Sequence, residues 1–178
     1  RPPDLGIDGR HPARTAFPAA IGCTVSESNP FTIDDADRFA IWEMLVRRDS
    51  DFFLSGDWSL VADDYVETGF LGIDAALSLD PANWRPAFST VAAYRDAAIA
   101  ARWTPDEFAE PLRAGWFRCQ SIARVDSNGD AALAHKRIEG RIRRRTGDDM
   151  LLAWRSVFHL RRETAVWKIA GFTGYLPL

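Results

Sequence analysis

The spacing of apolar residues changes midway along the chain. In the first half, Phe39, Trp42, Val46 and Phe53 recur at intervals of three, four and seven residues. This spacing predicts an amphipathic helix of about twenty residues. Thr32 precedes the helix, with acids in the following turn, and is the expected N-cap.

The second half has the two-residue period of strands. Turn-like connectors separate four segments rich in β-branched and aromatic residues, at positions 116–125, 131–145, 150–162 and 166–175. Because the connectors are short, we expect the four strands to form an antiparallel meander.

The region between the halves has shorter elements. Asp57 is expected to cap a short second helix, residues 65–70 read as a short strand, and Thr90 is expected to cap a third helix that ends before Pro105. Helices followed by a long meander predict an α+β fold, with the helices packed on one face of a curved antiparallel sheet.

The N-terminal residues lack both periods. Residues 1–30 contain five of the ten prolines, so we expect an extended arm over residues 1–31 and one folded domain over residues 32–178. No run of apolar residues reaches membrane-spanning length and no signal peptide is visible, although an upstream segment could have been removed. Cys23 and Cys119 lack CxxC spacing. We therefore expect free thiols, a cytoplasmic location and no membrane association.

Charge and aromatic content narrow the function classes. The net charge is −3 and the one basic run, residues 141–145, is interrupted by Ile142, so we expect no nucleic-acid partner. Seven Trp and eleven Phe are more than a domain of this size usually needs for packing. They indicate a cavity or an interface, with a Trp-rich core as the alternative.

Three short stretches carry a family resemblance. Gly56-Asp57-Trp58, Ala62-Asp63-Asp64 and the closing segment 167–172 (WKIAGF), in this order of elements, resemble the NTF2-like superfamily and within it the SnoaL-like group. The resemblance implies a cone-like barrel with a pocket between sheet and helices, and an outer sheet face that serves for dimerisation. Isomerases of the superfamily place an Asp base on the first strand, where this chain has Thr68 or Gly69.

Three residues are candidates for catalysis. His135 shares one side of a predicted strand with Arg137 and Glu139, and a histidine can move a proton at neutral pH. The same row is also typical of a solvated outer face. Asp74, in a loop, is a candidate base or a helix cap, and Tyr94 is a candidate hydrogen-bond donor or a core residue.

Strand alternation selects further residues for the pocket. On the last strand, Trp167, Ile169, Gly171, Thr173 and Tyr175 are expected to face it, and on the preceding strand Trp154 and Ser156. The predicted ligand-binding residues are Trp42, Phe70, Trp103, Arg118, Trp154, Trp167 and Thr173.

The predicted function follows from the pocket and the absent motifs. The three His lack metal-ligand spacing, and there is no phosphate loop or dinucleotide fingerprint, so we expect neither metal nor cofactor. The resemblance favours a cofactor-independent isomerase, dehydratase or cyclase acting on a small apolar or aromatic molecule. A non-catalytic binder of a hydrophobic ligand and a dimeric interaction domain, paired through the outer sheet face, are the alternatives.

Overall fold

A computed structural model describes residues 27–178 and places the helices against one face of a six-stranded sheet. Helix α1 (Ala36–Trp42), a π-helical segment (Glu43–Arg48) and helix α2 (Asp49–Ser55) follow one another without a break. Helices α3 (Val91–Ala100) and α4 (Leu112–Arg118) complete the layer. The predicted first helix is therefore present over residues 36–55.

The sheet consists of a meander extended by two short strands. Its strands are β1 (Leu71–Asp74), β2 (Arg85–Phe88), β3 (Gln120–Asn128), β4 (Ala131–Ile142), β5 (Met150–Glu163) and β6 (Val166–Leu176). The spatial order is β2-β1-β6-β5-β4-β3. Strands β3 to β6 pair antiparallel, as the short connectors predicted, whereas β1 runs parallel to β6 and makes the sheet mixed. The architecture confirms the predicted α+β cone.

Element boundaries differ from the predictions in three places. The side chain of Asp35, rather than Thr32, caps α1 by accepting from the backbone N–H of Arg38. The short strand begins at Leu71, and only Tyr65 of the predicted stretch makes an isolated bridge, to Ile169. Two 3-10 turns, Trp58–Leu60 and Ala62–Asp64, occupy the place of the second helix.

The start of the first predicted strand of the meander, residues 116–125, is also wrong, because it belongs to helix α4. Trp116 and Phe117 are both buried, although they are neighbours in sequence. Each packs into a different core cluster. A helical turn directs adjacent side chains into neighbouring parts of the core, whereas a strand would send one of them to the other face.

The predicted arm lies mostly outside the described residues. Its last residues, 27–31, rest on the first helix. The side-chain amide of Asn29 donates to the carbonyl of Phe39 at 3.0 Å, and Phe31 packs against the cluster that contains Trp42. Within residues 27–178, no helix has the length and apolar character needed to cross a membrane.

Candidate functional site

A cavity of about 150 Å³ lies between the helices and the helix-covered face of the sheet. Helices α2, α3 and α4 and strands β2, β4, β5 and β6 all contribute to its wall, and ten of the lining side chains are aromatic. The charged lining residues are Asp49 and Lys136, and Ser156, Tyr94 and Tyr175 add hydroxyl groups. The site is therefore an aromatic chamber with a few convergent polar groups, as small-molecule pockets usually are.

Lys136 is the buried cation of this cavity. It lies on the same face of β4 as the buried residues Ala134 and Ile138, so its side chain points under the helices, and it is only 3% exposed. Its ammonium donates to the carbonyl of Leu45 at 2.6 Å and to Oδ2 of Asp49 at 2.7 Å. A lysine this deeply buried requires such partners, because an unpaired charge in the interior is very costly.

The π-helical segment supplies the acceptors for this lysine. The backbone N–H of Asp49 donates to the carbonyls of Met44 and Val46. The carbonyl of Leu45, which lies between them in sequence, accepts a hydrogen bond from the ammonium group of Lys136 instead. Single π-helical turns inside α-helices occur frequently at functional sites. Here the turn delivers a backbone carbonyl and the Asp49 carboxylate to the same ammonium group.

The ion pair leaves one donor and one acceptor unused. An ammonium group has three N–H donors, and two of those on Lys136 are engaged. Among residues 27–178, Oδ1 of Asp49 has no hydrogen-bond partner, since only Oδ2 is bonded. Ser156 faces Lys136 across the β4–β5 ladder and brings a hydroxyl to the same region. One end of the cavity can thus both donate to and accept from a ligand.

The tyrosine hydroxyls of the cavity remain protonated at neutral pH. Burial raises the pKa of Tyr94 far above its usual value, and the negative charge of Asp49 raises it further. Burial, together with the charge of Asp74, raises the pKa of Tyr175 to about 12. Both groups are therefore hydrogen-bond donors or acceptors rather than bases.

A β-bulge shapes the mouth of the cavity. The β5–β6 register shifts between Arg155 and Val157, so that Ser156 faces the irregular stretch Gly174-Tyr175. Tyr175 has a left-handed backbone, with φ of 54°, and its ring lies 5.5 Å from that of Trp154. Such strained residues cluster at ligand sites. We call the half-buried lining rings, which include Trp103, Trp154 and Tyr175, the rim, and the buried lining rings, which include Phe52, Trp116 and Phe172, the floor.

The structure brings together three of the predicted site residues. Tyr94, Trp103 and Trp154 all line the cavity. Ser156, which strand alternation had placed inward, lines it as well. The indole N–H of Trp103 is buried and has no hydrogen-bond acceptor within residues 27–178, so the wall carries a further unused donor.

Two predicted ligand-binding residues are packed in other parts of the core. Trp42 lies in a cluster with Val46 and Phe117, and Phe70 packs in the main core beside Tyr94 without lining the cavity.

The remaining three predicted ligand-binding residues also lie outside the cavity: Trp167, Thr173 and Arg118. The indole of Trp167 donates to Asp37, and Thr173 is buried but does not line the cavity. Arg118, at the end of α4, forms a bidentate ion pair with Glu110, which lowers the pKa of that carboxyl group. On the last strand, Tyr175 lines the cavity as alternation predicted, but Phe172 and Gly174 line it in place of the other predicted residues, because two β-bulges shift the register.

The other two catalytic candidates lie outside the cavity. His135 alternates with Lys136 and therefore faces away from the helices, where its Nε2 lies 3.5 Å from Oδ2 of Asp126. Asp74 ends β1, and its carboxylate accepts from the backbone N–H of Ala76 at 2.8 Å in a turn. Neither residue lines this cavity, and the proton-transfer roles of both stay predictions.

Lys136 and Asp49, the charged residues that line the cavity, were not among the predicted site residues, although the sequence carries a signal for both. Lys136 interrupts the apolar face of β4, and Asp49 occupies a position four residues after Leu45 and three before Phe52 on the buried stripe of the helix. A charged residue at an apolar position is the signal that identifies such a pair. Within the described part of the chain, no cluster of His, Cys, Asp and Glu could hold a metal ion.

Comparison with known proteins identifies the fold. No protein-family model matches the chain, and no curated protein matches it in sequence. A Kribbella flavida protein of known structure matches 79% of this chain and 90% of its own, with a TM-score of 0.53 and 14% identity. An NTF-2 like protein of unknown function from Silicibacter pomeroyi matches 81% of this chain and 98% of its own, with a TM-score of 0.50 and 10% identity. Together with the helix-covered mixed sheet, these likenesses show that the chain has the NTF2-like fold.

Proposed function

We propose that this protein is a cofactor-independent enzyme of the isomerase, dehydratase or cyclase type, acting on a small aromatic or apolar molecule. The observation that carries the proposal is the Asp49–Lys136 pair at one end of an aromatic cavity. All three reaction types relocate a proton without a net change in oxidation state. A site for them needs a base, a group that stabilises the developing charge, and walls that exclude water.

The cavity offers groups for each of these roles. Oδ1 of Asp49 accepts the proton from a substrate carbon, and the electron pair of the broken C–H bond moves into the substrate towards its oxygen. The ammonium of Lys136 stabilises the negative charge that develops on that oxygen, and the hydroxyl of Tyr94 supplies a further donor. The aromatic walls keep the local dielectric low, which strengthens each of these interactions.

Hydrogen–deuterium exchange tests the proposal with a simple probe. Cyclohexanone in D2O exchanges the hydrogens next to its carbonyl, and proton NMR follows the loss of their signal. We expect the wild-type protein to accelerate the exchange and Asp49→Asn to abolish the acceleration. Asp51→Asn is the matched control, because Asp51 lies on the same helix but pairs with Arg113 and does not line the cavity.

A non-catalytic binding protein is the second candidate. The carboxylate and the ammonium group already satisfy one another at 2.7 Å, as in a purely structural ion pair. If cyclohexanone binds in the cavity and its exchange rate stays at the level of buffer, the binding function replaces the enzymatic one.

The outer sheet face supports a proposal about the partner. Leu133 on β4 and Leu151 on β5 are 44% and 58% exposed on the face that carries His135. The two leucines lie eight positions apart along the β4–β5 ladder and do not form a contiguous patch. Because the superfamily resemblance implies dimerisation through the outer sheet face, we propose a homodimer that pairs these faces. Sedimentation of the wild-type chain and of Leu133→Glu tests it, with a monomeric wild type as the contrary result. A SnoaL-like grouping and a cytoplasmic location remain predictions.

A further inference from the structure

The size of the cavity limits its occupant. Its volume is about 150 Å³, and an engineered apolar cavity of about this volume takes up one benzene molecule. The floor has little room to expand, because Phe52, Trp116 and Phe172 are all buried and packed against further rings. Protein interiors are close-packed, so enlarging such a floor for a second fused ring would displace several side chains.

The polar end limits the chemistry of the occupant. It presents the third N–H of Lys136 and the free Oδ1 of Asp49. A hydroxyl group satisfies both, because its hydrogen is donated to the carboxylate and its oxygen accepts from the ammonium. A carbonyl satisfies only the lysine. A carboxylate on the ligand would add a negative charge beside Asp49.

We infer that the ligand is a single six-membered ring that carries a hydroxyl group, with phenol as its simplest representative. The ring lies among the aromatic side chains, and the hydroxyl lies between Lys136 and Asp49. This inference rests on the cavity of the proposed function and not on catalysis.

Three ligands of graded size and polarity test the inference on the wild-type protein. Phenol and toluene have the same number of heavy atoms and differ only in the hydroxyl, and 2-naphthol adds a second ring. By isothermal titration calorimetry we expect phenol to bind at least about tenfold more tightly than toluene, since a hydrogen bond to a charged group is lost with toluene. We expect no saturable binding of 2-naphthol.

Two variants extend the test. In the double variant Lys136→Met/Asp49→Leu, phenol should bind no better than toluene, while the affinity for toluene is retained. Trp154→Ala, which opens the half-buried rim, should admit 2-naphthol. If one variant does not fold, the other and the three wild-type titrations still decide the question.

The outcomes separate this inference from the proposed function. Equal affinities for phenol and toluene, or binding of 2-naphthol to the wild type, would overturn the inference and leave the cavity as a site for aromatic molecules. Catalysed exchange of cyclohexanone without binding of phenol would likewise overturn the inference alone. The expected affinities without any catalysed exchange would overturn the enzymatic function and retain the ligand class.

Discussion

Replacing Lys136 by Met removes the buried cation while keeping a side chain of similar length. In the wild type, the ammonium nitrogen lies 2.7 Å from Oδ2 of Asp49 and 2.6 Å from the carbonyl oxygen of Leu45. The substitution leaves the carboxylate without its cation and the carbonyl without this hydrogen-bond donor. The variant therefore measures the cost of an uncompensated charge between α2 and β4. It does not measure the net worth of the pair, which requires the removal of both partners.

The expected loss follows from the burial of the two partners. Breaking a fully buried ion pair by removing one member costs about 3–5 kcal/mol. The side chain of Asp49 is 24% exposed, so water solvates part of the abandoned carboxylate. We therefore expect the free energy of unfolding to fall by about 2–3 kcal/mol, between the values for buried and for surface pairs. Replacing both members, as Lys136→Met/Asp49→Leu, should restore stability to within about 1 kcal/mol of the wild type.

Urea denaturation followed by circular dichroism measures all of these values, with Asp49→Leu completing a double-mutant cycle. Lys168→Met is the matched control, because the Lys168 ammonium bonds the exposed carbonyl of Asp63. This control should change stability by less than about 0.5 kcal/mol. A loss below about 0.5 kcal/mol in Lys136→Met, or a double variant as unstable as the single one, would refute the reasoning.

Three further variants test the fold. An Ala at Gly171 would place its Cβ 2.2 Å from the carbonyl oxygen of Leu71, so we expect equilibrium unfolding to show a loss of about 1–3 kcal/mol; an unchanged midpoint would contradict this contact. Burial lowers the pKa of His159 from 6.5, so the folded state binds fewer protons than the unfolded one. Stability should therefore be lost as the pH falls below about 6.5, and less so in His159→Gln, when unfolding is measured at several pH values. Asp57→Ala removes the cap on Ser59, whose N–H lies 3.0 Å from Oδ1, and should cost about 1 kcal/mol in the same assay.

The sequence predicted the parts of the fold that depend on periodicity. The first helix and the β4–β6 meander are long enough for their apolar periods to be recognised, and both are present. Parallel pairing of β1 with β6 left no such pattern, because β1 has only four residues and its partner lies about a hundred residues away in sequence. Helix α4 was missed for a similar reason, since its seven residues are too few to establish a helical period.

Register was the main source of error within the site. Alternation predicted the inner face of β5 correctly at Trp154 and Ser156, where the strand is regular. On β6 it predicted Tyr175 correctly but missed Phe172 and Gly174, because each β-bulge adds a residue and exchanges the faces of the positions beyond it. Two bulges lie in the β5–β6 ladder, one beside Gly171 and one at Gly174, and a glycine within a strand is the sign that the sequence gives of such a bulge. The glycines do not define the resulting register, so the placement of Phe172 required the structure.

Strand β4 carries ion pairs on both of its faces, and their surroundings explain why chemistry is assigned to only one. Arg137 pairs with Glu139 at 2.7 Å on the outer face, where both side chains are exposed. The Lys136–Asp49 pair has the same separation, but one partner is buried and aromatic rings surround the cavity beside it. Water screens the outer pair and makes it worth little, whereas the low dielectric inside strengthens every interaction that the inner pair offers to a ligand. Lys136 and Arg137 are consecutive on β4 and face opposite sides of the sheet, so one position along the strand separates the candidate site from a solvated ion pair. The predicted catalytic candidate, His135, lies on the solvated side.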